Sequence, residues 1–295
     1  LIFYELNKPK EALSKFKLAL KISNNPEPML ALAIVLFSTN NNSIQFVLIA
    51  GDLFDSPTPS SSNVLEVLEA IGSIDIPVIV IPGNHDHGAL GTIWHRSDFN
   101  RYRIKFSPNL ILALDRKIIE INQNLIFPCP LLRKNDLQDP SLWLRDLDWA
   151  SFPQEKKRIV LAHGGVKTFA GRDYLLDSVD SPGSNNLIDL DYLPKEEIDY
   201  IALGDWHNLK KVNEKAWYSG TPEPDRFDQG DNNRRGQILN VEIVRGRIPE
   251  VQTIPTGYIQ WHNLKVSLNS ESDLERLERQ IEELTSGRVS RDLLR

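Results

Sequence analysis

From residue 45 onward, short apolar runs alternate with stretches of mixed polarity. Gln45 to Ala50, Pro77 to Ile81, Arg158 to Ala162 and Tyr200 to Leu203 have the length and apolar character of core strands. Between the first two, Asn63 with Glu66 has the form of a capping box. It opens a helix carrying Val64, Leu65, Leu68 and Ile71, and Gly72 stands at a C-cap position. Leu110 to Leu114, Ile118 to Ile121 and Leu125 to Phe127 read as shorter strands, the last two joined by an Asn122-Gln123-Asn124 turn. Asp139-Pro140 starts a helix that packs through Leu142, Leu144, Leu147 and Trp149, with Trp143 on an adjoining face. Strands alternating with helices predict an α/β fold built on a mostly parallel sheet.

The ends have a different texture. Over residues 1 to 23, Ala12, Leu13, Phe16, Ala19 and Leu20 share one helical face. Phe3, Ala12, Phe16 and Ala19 also follow the register of a tetratricopeptide unit, and a single repeat cannot bury its own face. A repeat remnant and an ordinary amphipathic helix both fit. Gly171 to Asn186 reads as a surface loop. Gln237 to Val244 and Pro249 to Ile254 form a late hairpin. Beyond Gly257, Ser272 and Glu275 suit a capping box for a helix striped by Leu274, Leu277, Ile281 and Leu284. The expected organisation is a helical segment over 1–40, an α/β domain over 41–257 and the start of a small α+β domain over 258–295. Both ends read as truncated, since the chain begins at Leu1 and stops just after Leu293-Leu294.

Composition narrows the class. A chain of 295 residues with 41% apolar residues can bury a large core. No run approaches the roughly 18 apolar residues that span a bilayer, so no membrane partner is expected and the location reads as cytoplasmic. The single Cys129 excludes an internal disulfide. With a formal charge of -6 and a pI near 5.6, any contact with DNA has to be local.

Four strings carry the chemistry: Gly51-Asp52-Leu53-Phe54-Asp55, Gly83-Asn84-His85-Asp86, Ala162-His163-Gly164 and Gly204-Asp205-Trp206-His207. Each follows an apolar run, and ligands of open α/β sheets sit beyond the carboxyl ends of strands. Asp52 could bridge two cations or serve as a turn residue. Asn84 offers a carbonyl oxygen and His163 an imidazole nitrogen, donors suited to an ion such as Mn²⁺. Asp205 and His207 could reach two neighbouring metals from a bent loop. Two divalent ions about 3.5–4 Å apart polarise a phosphoryl group and hold a hydroxide for in-line attack. His85 is placed to protonate the leaving alkoxide, with Asp86 holding its tautomer. Asp55 reads as a brace behind the ligands.

These strings resemble the calcineurin-like metallophosphoesterases. With Tyr218-Ser219-Gly220-Thr221-Pro222-Glu223-Pro224 after the last pair, they are most similar to the SbcD-type DNA-repair exonucleases, over residues 45 to about 256. The resemblance implies a four-layer α/β/β/α sandwich. It implies a bridging Asp52, one metal completed by Asn84 and His163, the other bound by His207, and a catalytic His85. It further implies DNA or another phosphodiester as substrate and an ATPase subunit as partner. The chain departs from the family twice. The opening Asp-x-His has no counterpart, because the segment before Gln45 reads as helix, prolines and an Asn-rich turn, which leaves one metal site incomplete. Asp205 stands where the family usually carries His, a change of donor and charge.

Other residues have plainer readings. His87 could touch a phosphate or be a loop histidine, while His95 and His262 read as surface or packing residues. Arg96, Arg101, Arg103 and Lys105 could meet a nucleic-acid backbone or form a solvated face. Arg226, Arg234 and Arg235 sit among acids. Trp206 could pack on substrate or wall the site. Two alternatives to a DNA exonuclease stand: a phosphoesterase for small nucleotides or phosphoproteins, and an inactive truncated remnant whose amino-terminal helix makes protein contacts.

Overall fold

The computed structural model describes residues 34–38, 44–74, 76–167, 185–225, 227, 235–262, 264–285 and 292–294. The helix expected over residues 1 to 23 and nearly all of the Gly171 to Asn186 loop lie outside them. The strands in chain order are β1 (Ile34–Ser38), β2 (Ile44–Ala50), β3 (Val78–Ile81), β4 (Leu110–Leu112), β5 (Ile119–Ile121), β6 (Asn124–Cys129), β7 (Lys157–His163) and β8 (Gly165–Val166). They continue as β9 (Leu187–Ile188), β10 (Tyr200–Gly204), β11 (Lys210–Lys211), β12 (Ala216–Tyr218), β13 (Gln237–Glu242), β14 (Glu250–Pro255), β15 (Gln260–His262) and β16 (Asp292–Leu294). The helices are α1 (Ser61–Gly72), α2 (Ser97–Phe106) and α3 (Glu271–Thr285).

Two six-stranded sheets organise the protein, in the orders β14-β13-β1-β2-β3-β4 and β11-β12-β10-β7-β6-β5. In the first, β2, β3 and β4 are parallel. In the second, β6, β7, β10 and β12 are parallel and β5 and β11 are antiparallel edges. Alternation along β2 shows how the sheets stack. Phe46, Leu48 and Ala50 join Ile79 and Ile81 against Ile126, Ile159, Leu161 and Ala202 of the second sheet. Val47 and Ile49 turn outward onto Val64, Leu68 and Ile71 of α1 and Phe99 of α2. The outer face of the second sheet packs Phe127, Val160, Ala162 and Leu203 under Leu144, Trp149 and Leu190. Among the described residues that outermost layer is made of 3₁₀ turns together with Val166 of β8 and Ile188 of β9.

The α/β class is therefore as expected, and several elements differ in detail for identifiable reasons. The helix expected from Asp139-Pro140 is two 3₁₀ turns, Leu142–Asp146 and Trp149–Ser151. Asp139 accepts the Ser141 amide and hydroxyl, and Asp148 accepts the Ala150 amide, so side chains compete locally with helical bonding. In α1 the cap is Ser60, whose hydroxyl accepts the Asn63 amide, and Gly72 is the last helical residue. A Cβ there would lie 1.6 Å from the Phe106 carbonyl oxygen, so glycine serves the close approach of α2. At the start of α3 the reciprocal pair is Ser270 and Asp273, the Asp273 carboxylate accepting the Asn269 and Ser270 amides and the Ser270 hydroxyl, two residues upstream of the expected Ser272 and Glu275 pair. The segment before Gln45 contains β1, which pairs antiparallel with β2, Ile34 facing Ile49 and Ser38 facing Ile44. Its carboxyl end therefore lies at the edge opposite the carboxyl end of β2.

At that opposite edge an ion cluster ties the two sheets together. Asp199, fully buried before β10, accepts the Arg158 amide at 2.8 Å and the Gly246 amide at 2.8 Å, and pairs with Arg245 at 3.1 Å. Glu197 pairs with Arg158 and Arg245. Removing one member leaves buried charge uncompensated. Asp199→Ala is expected to lower the unfolding free energy by about 3–5 kcal/mol in urea denaturation.

A second ion pair makes a pH prediction. Arg96 donates to both Asp98 oxygens and to the Pro59 carbonyl, and Ser61 donates to Asp98, which stitches α1 to α2. The Arg96 guanidinium is the main reason that the Asp98 carboxyl falls to about 2. With the folded pKa below the unfolded one, the pair stabilises at neutral pH and is lost as pH falls from about 4 towards 2. Arg96→Ala should cost at most about 1 kcal/mol at pH 7, and the gap between variant and parent, followed by denaturation against pH, should narrow across that window.

Candidate metal centre

Four loop strings leave the sheets at one edge, two from each sheet. Ala50 of β2 leads to Asp52, Ile81 of β3 to Asn84, and β7 ends at His163 while β10 leads through Gly204 to Asp205. The edges meet closely: a Cβ on Gly204 would lie 1.8 Å from the Ala50 carbonyl oxygen and 2.8 Å from His163 Nδ1. Asp52 and Asp205 both adopt positive φ, 53° and 100°, conformations that non-glycine residues hold mainly where surrounding structure demands them.

Three of the expected ligands converge. The fully buried His163 donates from Nδ1 to the Ala50 carbonyl at 2.7 Å, which leaves Nε2 facing the Asn84 side-chain oxygen at 2.9 Å and Asp52 Oδ2 at 3.3 Å. Asp205 Oδ1 lies 3.8 Å from the same nitrogen. With its oxygen inward, Asn84 faces only acceptors, at 2.9 Å from His163 and 3.0 Å from Asp52. Such a knot of electron pairs is relieved by turning the amide, by a proton on Nε2 or by a cation. Among the described residues no three His, Cys, Asp or Glu side chains are placed to hold an ion by themselves, so the fit depends on the Asn84 amide as third donor. A donor set of carboxylate, amide oxygen and imidazole suits a divalent ion.

The charges point the same way. Burial works against a charged His163, but the Asp52 and Asp205 carboxylates outweigh it and lift its pKa. Asp205 is raised by desolvation, with Asp52 adding to the shift. Desolvation and then Asp52 push Asp86 up to about 7. The edge holds more negative charge than it can comfortably bury, and a bound cation would invert these shifts.

His85 and Asp86 divide differently from the expected pair. The Asp86 carboxylate turns into the protein, accepting the Gly83 amide at 2.7 Å and the Phe54 amide at 3.0 Å. The two amides hold it there, so Asp86 cannot orient His85. Asp55 does: its Oδ1 is 2.8 Å from His85 Nδ1, and the His85 amide donates to Asp52 at 2.9 Å. His85 is 39% exposed at its side chain, which puts it at the mouth where a leaving group would emerge.

His207 donates from Nδ1 to Asp225 at 2.6 Å, and Asp225 lies 3.2 Å from Arg235 Nε. Neither Asp225 nor a buried Arg235 was legible as part of the site. The motif ending at Pro224 stops one residue short, and Arg235 stands out only as one of several arginines. The other candidates take plainer places. Arg101 and Lys105 lie over the rings of Tyr102 and Phe106, Arg103 donates to the Leu110 carbonyl, and His95 contacts the Gly88 carbonyl. Lys210 lies 4.9 Å from the centre of the half-buried Trp206 ring. Cys129 is buried in β6, its thiol pushed up to about 12 by burial.

Two packed sheets with oxygen and imidazole donors gathered at their shared carboxyl edge define a metallophosphoesterase type of α/β protein. Residues 29–209 match the calcineurin-like phosphoesterase family, and the chain belongs to it; the family generally uses divalent metals. The chain is 28% identical over 226 residues to the DNA double-strand break repair protein Mre11 of Methanosarcina acetivorans, a match covering 72% of this chain and 32% of that protein. It thus spans about a third of that relative's length. Among solved structures it is similar to TT1561 of Thermus thermophilus, with 11% identity and a TM-score of 0.42 over 76% of this chain and 99% of that one. No described helix is long and apolar enough to cross a membrane.

Gly204→Ala should destabilise the fold by about 1–3 kcal/mol through overpacking and weaken whatever divalent-ion binding the parent shows. Thermal denaturation and metal titration of the same sample would check both effects.

Proposed function

We propose that the protein is a metal-dependent phosphodiesterase acting on DNA as an exonuclease, with its reaction centre at the shared carboxyl edge of the two sheets. The observation that supports this most is the convergence of Asp52, Asn84 and His163 from both sheets, with His85 partly exposed beside them. Asp52, Asn84 and His163 would hold one ion. Asp52 and His207 would be left for the other, which receives no Asp-x-His pair, while Asp205, with Oδ1 3.8 Å from His163 Nε2, stands beside the first. When bound, two ions of the Mn²⁺ type supply charge stabilisation to the phosphoryl oxygens and activate the attacking water.

The chain's own groups set the rest. The His163 bond to Ala50 keeps Nε2 turned to the ligand knot. Asp52 also accepts the His85 amide, so the residue at the centre of the ligand set locates the proposed general acid. Asp55 takes the Nδ1 side of that imidazole, leaving Nε2 to pass a proton to the leaving alkoxide. The name of the Mre11 relative and the order of the four strings favour DNA over a small nucleotide or a phosphoprotein. An ATPase subunit is the partner this reading implies. With a net charge of -6, DNA would be gripped near the ions rather than over the whole surface.

Cleavage of bis(p-nitrophenyl) phosphate with added Mn²⁺ tests the chemistry. His85→Ala should slow it by about 10²-fold or more while Mn²⁺ affinity, read by calorimetry, stays the same. Asn84→Ala should lower both. Undiminished cleavage in both variants refutes the assignment, and tight Mn²⁺ binding without turnover by the parent would favour an inactive remnant. For the substrate, DNA affinity should fall steeply with added salt as phosphate contacts release counterions. Diester cleavage without salt-sensitive DNA binding would point to a small substrate.

A further inference from the structure

We propose, resting on the DNA reading above, that the loop leaving β6 grips a DNA strand by its backbone through Arg133 and Lys134, beside the reaction centre and without help from the ions. β6 runs parallel to β7, so the two strands end at the same edge, about 5 Å apart. Two hydrogen bonds tie the loop to the Gly-Asn-His-Asp string: the Leu131 amide donates to the Pro82 carbonyl at 3.2 Å, and the Gly88 amide to the Leu131 carbonyl at 2.8 Å. Arg133 and Lys134 follow at once, both exposed. Among the described residues no carboxylate pairs with either side chain. The loop backbone is nevertheless clamped, because Asn186 donates from its side chain to the Lys134 carbonyl at 2.9 Å and exchanges two hydrogen bonds with the Asp136 backbone at 2.6 and 2.8 Å. Cations on a fixed backbone lose less freedom on binding.

Charge decides where DNA can be held. The chain carries a net charge of -6, and Asp52, Asp86 and Asp205 surround His163 at the centre of the edge, so that centre by itself repels a polyanion. Attraction has to come from the rim. The basic stretch from Arg96 to Lys105 does not supply it: Arg96 is paired with Asp98, Arg103 donates to the Leu110 carbonyl, and α2 covers the outer face of the first sheet. Arg133 and Lys134 stand at the site edge itself. Lys117, also exposed, lies on the connection from β4 to β5 at the same edge, beside Asp115 and Arg116. Apolar surface adjoins the cations, with Leu132 39% and Leu90 88% exposed, and a Cβ on Gly88 would lie 3.0 Å from Leu132 Cδ2. A strand crossing the mouth sets its phosphates on the cations and its sugar or base faces on the leucines. Four residues past the end of β6 reach at most about 14 Å, or about four nucleotides of duplex rise. Arg133 and Lys134 therefore meet phosphates next to the scissile one, which a nucleoside monophosphate does not have.

The test is fluorescence anisotropy of a labelled DNA duplex with the 295-residue chain in EDTA, repeated over a range of salt. The double variant Arg133→Ala, Lys134→Ala should weaken binding by about 10–100-fold near 0.1 M salt and lower the slope of log K against log salt by about 1.8, the amount for two duplex phosphates. Arg133→Lys with Lys134→Arg should keep the parent's slope. Lys157→Ala with Lys195→Ala removes the same charge at the opposite edge, at the start of β7 and ahead of β10, and should also bind as the parent does. Parent-like affinity and slope in the Arg133→Ala, Lys134→Ala variant would overturn the proposal. So would an equal loss in the Lys157→Ala, Lys195→Ala control, which would reduce the effect to net charge. DNA binding by the parent only after Mn²⁺ is added would place the grip at the ions and overturn it as well. If the parent binds no DNA with or without Mn²⁺, the DNA reading itself falls, and the role of this rim falls with it.

Discussion

His163 Nδ1 donates to the carbonyl of Ala50 across 2.7 Å, and in doing so joins the carboxyl end of a strand in one sheet to the carboxyl end of a strand in the other. Both ends are buried, so the bond forms away from competing water. Gly204 makes room for it by bringing β10 against the same carbonyl with no side chain between. Asp52 and Asn84 leave the first sheet at this edge, and Asp205 leaves the second just after Gly204. Every donor therefore inherits its position from how closely the two sheets approach here.

The opposite edge is closed by Asp199, Arg158, Glu197 and Arg245, where charges are paired across the sheets. At the site edge the carboxylates of Asp52, Asp86 and Asp205 crowd around His163, and burial and mutual repulsion raise the pKa of Asp86 and Asp205. One edge neutralises its charge internally, and the other is arranged to receive positive charge. The positive φ values of Asp52 and Asp205 belong to the same arrangement, because each chain must turn sharply off its strand to aim a short side chain back over the sheet.

Much of the frame was legible in the residues. The runs 45–50, 77–81, 158–162 and 200–203 are apolar because both faces of those strands are covered, and β2, β3, β7 and β10 lie where they were read. Elements held by local side-chain bonding were less legible. Asp139 and Asp148 break an expected helix into 3₁₀ turns, and Ser60 caps α1 ahead of Asn63. The strand β1 was not legible: Ile34–Ser38 pairs antiparallel with β2 in a segment that reads as helix, prolines and an Asn-rich turn.

Within the site, the local strings determined which residue types are present and on which loops, since a strand followed by glycine and a donor is a feature of near neighbours in sequence. They also placed the whole set at the carboxyl ends of strands. Only the tertiary structure decided which donors face one another. It paired His85 with Asp55 instead of the adjacent Asp86, because the Gly83 and Phe54 amides claim Asp86. It also brought Asp225 to His207 across eighteen positions. Hydrogen-bond partners are chosen by proximity in space and by what burial leaves unsatisfied, and neither is written in the spacing of residues along the chain.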